Sequence, residues 1–252
     1  MRTRILHRED SPHGPLLVEQ TGTLRELHFD NGITQSQIDL ETPGRLPLAA
    51  NRAMLAHLLF GQRPRTVLLA GCGGGAIARW FAVRSPQTRG TAVELDPQVA
   101  SLARRYFEFP PSWRLEVADV RDHLAGTKSA YDFILVDIEQ HGRTPDWLAQ
   151  PDFLARCRDA LTPAGVITFN LVAEQREGFI DKLLAIRQAF GQRTLCLSIP
   201  GHDNVLVLAF RRRPALASLA QRLPARMAHW GLELDVLLKR LRRENPPGSG
   251  IF

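Results

Sequence analysis

Hydrophobic and polar positions alternate with a period of two near the start of the chain. "PLLVEQ" leads to a Thr21–Gly22 turn, "TLRELHF" to an Asp30–Asn31–Gly32 turn, and "ITQSQID" closes the set. Alternation buries one face of each strand, and Asn-Gly supplies the positive φ that a tight hairpin needs. The segment from Pro15 to Asp39 is therefore expected to form a three-stranded antiparallel meander. Pro43 and Pro47 mark a linker, after which "NRAMLAHLLF" has helical spacing.

From Thr66 the period changes. The apolar runs "TVLLA", "TAVEL", "RLEVA", "DFILVD" and "VITFNLV" alternate with helical stretches such as "PQVASLARRYF" and "PDFLARCRDAL". That order predicts a parallel sheet with helices on both faces. The last two strands, "TLCLSIP" and "NVLVLAF", are separated only by Gly201, His202 and Asp203, too few residues for a parallel crossover, so they must pair antiparallel. Beyond Arg213 the chain turns helical around "ALASLAQRL", breaks at Pro224, and resumes in "LELDVLLKRLRRE". Leu234, Leu237, Leu238 and Leu241 share one face there, the pattern of a helix docked on its own domain. The expected division is 1–45, 46–213 and 214–252.

The candidate chemistry lies where the first parallel strand ends. In "TVLLAGCGGGAIARW", Gly71, Gly73 and Ala76 satisfy the G-x-G-x-x-G/A pattern of dinucleotide folds, and Gly75 also completes G-x-G-x-G. Glu94 ends the second strand, nineteen residues past Gly75, where a carboxylate can accept both ribose hydroxyls of NAD or of an S-adenosyl nucleoside. Asp119 ends the third strand and Asp137 the fourth. Ligands of open α/β sheets lie across the carboxyl ends of the strands, so these acids should converge on one crevice. An acid at a strand end can instead cap the next helix, but three in succession beside a glycine loop are hard to explain that way. The Tyr-x-x-x-Lys pair of short-chain dehydrogenases is absent, since Tyr106 and Tyr131 are followed four residues on by Pro110 and Leu135. No Gly-Lys-Ser/Thr follows the glycines either. The loop therefore reads as a site for a nucleoside sulfonium rather than for phosphates.

Composition adds little. Cys72, Cys157 and Cys196 have neither disulfide nor zinc spacing, no metal site is expected, and no apolar run approaches membrane-spanning length. With no secretory signal in "MRTRILHRED", the expected location is cytoplasmic, with no membrane partner. The net charge of +6 raises nucleic acid as a partner, but the arginines are scattered, which disfavours that reading.

With the meander included, the chain resembles the spermidine synthase family, the polyamine aminopropyltransferases, from about Ser11 to Phe210. The resemblance rests on "SPHG", "FDNGITQS", "MLAHL", "VLLAGCGGG", "AVELDP", "ADVRD" and "FILVDI". It implies an α/β fold: a methyltransferase-like Rossmann sheet with an antiparallel terminal hairpin, preceded by a small N-terminal β-meander. It also implies S-adenosylmethionine or its decarboxylated form as co-substrate, a small-molecule acceptor, and assembly as a homodimer through the meander. Gln35 and Asp119 would help seat the nucleoside, Glu94 would take the ribose, Asp137 would match the catalytic aspartate, and the nucleoside set is completed by Gly71, Gly73, Gly75, Asp96 and Val120.

The chain departs from that pattern at several positions. Where the family's glycine loop carries an Asp for the propylamine end of the donor, this sequence has Gly74. The Tyr-His-Glu that precedes "MLAH" in the family is replaced by Asn51, Arg52 and Ala53. After Asp137 the second acid of Asp-x-x-Asp-Pro is lost, leaving Ile138, Glu139, Gln140 and His141. Arg52, Glu139 and His141 are the candidate acceptor-binding residues, and "HGRTPDWLAQPDF", around Trp147, is a candidate lid. The leading expectation is a spermidine synthase-like transferase moving an aminopropyl group to an amine. The alternatives are an S-adenosylmethionine-dependent methyltransferase of the same fold, or a non-catalytic nucleoside-binding homologue.

Overall fold

The computed structural model describes the chain except residues 1, 12–13, 30–33, 62, 141 and 174–175, together with the side chains of 176–177. The Asp30–Asn31–Gly32 turn and His141 thus lie outside the described residues.

The N-terminal sheet has four antiparallel strands in sequential order, β1 (Thr3–Glu9), β2 (Leu16–Thr21), β3 (Leu24–Phe29) and β4 (Thr34–Asp39). The expectation of three strands is corrected by β1. Its sequence "TRILHRE" carries no apolar alternation because none of its residues is fully buried: Leu6 alone packs partly against the main core, and Ile5 is exposed. The other three strands turn Leu16, Val18, Leu27 and Ile38 into the main core. Two arginines add polar ties. Arg25 donates to the Tyr106 carbonyl at 2.6 Å, and the buried Arg79 donates to the Asp39 carbonyl at 2.8 Å and to Glu108 at 2.6 Å.

A short helix α1 (Ala49–Met54) runs into a 3-10 turn, Leu55–Leu59, rather than continuing as one helix. The second sheet then alternates with helices: β5 (Thr66–Ala70), α2 (Ala76–Arg84), β6 (Arg89–Glu94), α3 (Pro97–Tyr106), β7 (Arg114–Val117), α4 (Val120–His123) and β8 (Tyr131–Val136). It continues through α5 (Pro151–Ala160), β9 (Leu161–Val172), α6 (Arg176–Ala189), β10 (Thr194–Ser198) and β11 (Asn204–Phe210). The strand order is β10-β11-β9-β8-β5-β6-β7; β5 to β9 run parallel, and the β10–β11 hairpin is antiparallel as expected. Period-two side-chain direction divides β5 between two cores: Val67 and Leu69 pack with Trp80 and Phe81, Leu68 and Ala70 with Leu154 and Phe190. Each such aromatic contributes roughly 1.5–3 kcal/mol by leaving water.

Two helices close the chain, α7 (Leu219–Trp230) and α8 (Leu234–Glu244). The break expected at Pro224 does not occur, because α7 runs through it and ends at Gly231, whose φ of 63° provides the stop. Pro224 and Ala220 both face solvent, so water can hydrate the carbonyl that loses its partner. Leu234, Leu237, Leu238 and Leu241 are buried, as the docked-helix pattern requires. Asn245 then pairs with β10 as a strand would, accepting from Cys196 N–H at 2.8 Å and donating to the Cys196 carbonyl at 2.6 Å. Among the described residues no helix is long and apolar enough to cross a membrane.

Candidate active site

The carboxyl ends of β5, β6, β7 and β8 frame a crevice of about 300 Å³, walled on its outer side by β3 and β4. β5 ends where Gly71 adopts φ +81°, and a Cβ there would lie 2.2 Å from the Asp137 carbonyl. Only glycine lets the loop pass so close over the end of β8. Gly73 also lines the crevice, under β4 residues Gln35 and Ser36. Gly75 does not line it. With φ +78° it caps α2, and its absent side chain would meet Phe109 at 2.6 Å. At Gly74 a Cβ would stand 2.8 Å from Ser36 Oγ and 2.9 Å from the Phe107 ring, so this slot is already filled.

The acids divide by role. Glu94 caps no helix: its carboxylate accepts from Cys72 N–H at 3.0 Å and Asp96 N–H at 3.1 Å, tying the glycine loop to β6. Asp96 and Asp119 do cap helices. Asp96 accepts from Gln98 N–H at 2.8 Å at the start of α3, and Asp119 from Arg121 N–H at 2.8 Å at the start of α4. The Arg121 guanidinium also grips the Asp119 carboxylate, at 2.5 Å at closest, and holds its pKa below the usual carboxylate range. Asp137 stands at the end of β8. Burial pushes its pKa up, a hydrogen bond from Asn170 at 2.7 Å opposes that, and the charge of Glu94 adds to the rise.

Gln35, Gly71, Gly73, Glu94, Asp96, Asp119, Val120, Asp137 and Glu139 all line the crevice. Arg52 does not. Its guanidinium donates to the Leu46 and Pro47 carbonyls at 2.5 and 2.7 Å, and its neighbour Asn51 faces the crevice instead. The charged residues around the crevice, among those described, are therefore five acids and Arg121. Trp147, in a 3-10 turn at Asp146–Ala149, lines the wall, packs edge-on against Phe153 at 5.0 Å and carries the Arg121 guanidinium 4.9 Å from its ring centre. Asn170 escaped the sequence reading. The available signal was a single amide within the apolar run "VITFNLV", close to the carboxyl end of its strand.

A mostly parallel seven-stranded sheet with a terminal antiparallel hairpin, and a crevice across its strand ends, defines a methyltransferase-fold protein. Residues 67–165 match the family described as a methyltransferase domain. A polyamine aminopropyltransferase of Chromobacterium violaceum is 32% identical over 241 residues, 92% of this chain and 91% of the relative. The chain belongs to the polyamine aminopropyltransferase family. The human eEF1A lysine and N-terminal methyltransferase is 30% identical over 178 residues, 62% of this chain and 25% of that protein. A spermidine synthase solved in complex with the transition-state analogue AdoDATO superposes with a TM-score of 0.73 at 17% identity, covering 95% of this chain and 85% of that one.

Proposed function

We propose that the crevice binds an S-adenosyl-type sulfonium nucleoside and that the protein transfers its aminopropyl group to an amine. The observation that carries this reading is the charge of the crevice: among the described residues five acids line it, the one arginine there is paired with Asp119, and Arg52 is turned away. A cationic acceptor is attracted to such a surface, and a positively charged sulfonium is compatible with it. In the proposed step the amine nitrogen attacks the carbon beside the sulfonium. A C–N bond forms, the C–S bond breaks, and the nucleoside leaves as a neutral thioether. The ammonium proton must be lost to expose the lone pair, and Asp137, beside the glycine loop, is the group assigned to take it and to aim the amine. Glu94 would accept the ribose hydroxyls in exchange for backbone partners. Gln35, Asp96, Asp119 and Val120 would surround the base.

Methyl transfer from intact S-adenosylmethionine is the second reading, and Gly74 favours it. With Phe107 and Ser36 filling the space beside Gly74, no loop acid is present there to hold an amino tail or to repel a carboxylate. The test is calorimetric binding of S-adenosylmethionine and its decarboxylated form, side by side, followed by mass spectrometry of a panel of amines incubated with each. Aminopropylated amines, absent with Asp137→Asn, support the first reading. Binding of the carboxylated nucleoside alone, with methylated products, overturns it in favour of the second.

A further inference from the structure

We propose that Asn170 and Asn204 form a positioning relay behind Asp137, fixing which carboxylate oxygen faces the acceptor. The inference rests on the assignment of Asp137 as the proton acceptor. Three neighbouring strands supply the parts. Val136 pairs with Phe169 in the parallel β8–β9 ladder, so Asp137 and Asn170 come next to each other one residue further on. Across the antiparallel β9–β11 ladder Asn170 pairs with Leu206, which puts Asn204 diagonally beyond it. Asn204 Nδ2 donates to Asn170 Oδ1 at 3.1 Å, and Asn170 Nδ2 donates to Asp137 Oδ1 at 2.7 Å.

The direction of the chain follows from the chemistry of its ends. An ionised carboxylate only accepts, so the amide beside it must present nitrogen, and its oxygen then points to Asn204. A flipped Asn170 would set oxygen against carboxylate. Asn204 discourages that flip by occupying the Asn170 oxygen with a donor. One oxygen of Asp137 is thereby engaged from behind. Its partner, Oδ2, has no hydrogen bond among the described residues, while Asp137 itself lines the crevice. The relay thus does two things: it favours the ionised form in a site where burial opposes ionisation, and it leaves a defined lone pair for an incoming ammonium. The charged groups sharing the crevice with Asp137 are Glu94 from β6, Asp96 and Asp119 at helix starts, Arg121 in α4 and Glu139 after β8. None of these makes the contact that Asn170 makes.

The experiment follows the Asp137 carboxyl by carbon-13 NMR titration, identified by its loss in Asp137→Asn, in wild type, Asn170→Leu and Asn204→Ala. The acidic limb of kcat/KM for amine transfer is recorded in parallel. A hydrogen bond to a charged group corresponds to about one pH unit or more. Asn170→Leu is therefore expected to raise the titration midpoint and the acidic limb together by about that much, and Asn204→Ala to raise both by less. A residue that only supports the fold would lower activity without moving either midpoint. Should Asn170→Leu fail to fold, Asn204→Ala carries the test alone. Unmoved midpoints in the folded variants overturn the relay. If the NMR midpoints move while wild type transfers nothing to any amine, the relay stands and the assignment of the reaction falls.

Discussion

Replacing Gly71 with alanine tests whether the glycine loop positions Asp137 by close backbone approach. At φ +81° an L-residue costs roughly 1–2 kcal/mol. The new Cβ would sit 2.2 Å from the Asp137 carbonyl oxygen, so the ends of β5 and β8 must separate by about 1 Å to restore ordinary contact. That separation weakens the 2.9 Å bond from Asp137 N–H to the Ala70 carbonyl, worth about 1 kcal/mol. The sum is roughly 2–3 kcal/mol, or about 4–12 °C in Tm for a chain of this size. Gly73→Ala is the internal control. It also has a positive φ, +49°, but its Cβ would meet only ordinary contacts, 3.6 Å to Ser36 Cβ and 3.7 Å to the Gln35 carbonyl. Its expected cost is therefore the backbone term alone, about 1 kcal/mol. A 1 Å displacement of a reacting group costs on the order of 100-fold in rate, so Gly71→Ala should also lose transfer activity far beyond Gly73→Ala. Calorimetric melting and a transfer assay on both variants check this. Equal Tm values for the two would refute the argument, because the contact with Asp137 is the feature that separates them.

Two further predictions concern pH. Burial raises the folded pKa of Asp137 above the ordinary carboxylate value of 3.8, so its contribution to stability is present below that value and is lost as pH rises through the folded pKa. Asp137→Asn should therefore melt higher than wild type at pH 7, with the difference vanishing below pH 3.8; a variant that melts lower at pH 7 would contradict this. His57 runs the other way. Enclosed beneath Phe133, with ring centres 3.3 Å apart, it has its pKa pushed from 6.5 down to about 3 by burial. The unfolded chain takes up this proton first, so stability falls as pH drops from 6.5 towards 3, with a limiting slope of about 1.4 kcal/mol per pH unit for this one group. Urea unfolding of His57→Met across that range should show a flatter pH dependence than wild type, and an unchanged slope would exclude His57 as the source.

The sequence was legible wherever a local pattern forces a unique placement. The apolar runs from "TVLLA" to "VITFNLV" alternate with helical stretches in the order of a parallel sheet flanked by helices, and three residues between the last two strands could only make a hairpin. The glycines and strand-end acids were legible for the same reason, since sheet topology alone puts them at one end. Failures arose where the deciding contact is distant or depends on one step around a helix. Asn51 and Arg52 are adjacent, yet one faces the crevice and the other satisfies loop carbonyls. Asn170 finds Asp137 thirty-three residues away, through a ladder register that the residues themselves do not reveal. Asp96 and Asp119 look like ligand-binding acids from their positions, and both turn out to hold helix starts as well.

The pairing of Asn245 with Cys196 has a consequence for how the chain is made. β10 is the last strand at its side of the sheet, and such a strand offers unpaired backbone groups to any other extended chain. Asn245 satisfies both groups at Cys196, and Glu244 and Arg240 take those of Ser198. These residues follow β10 by more than forty positions. Because β10 is made more than forty residues ahead of these partners, the nascent chain carries a bare sheet edge until they too have emerged and folded. The helices after Arg213, which contribute no residue to the crevice, thus cover an edge that an incomplete chain would leave open to pairing.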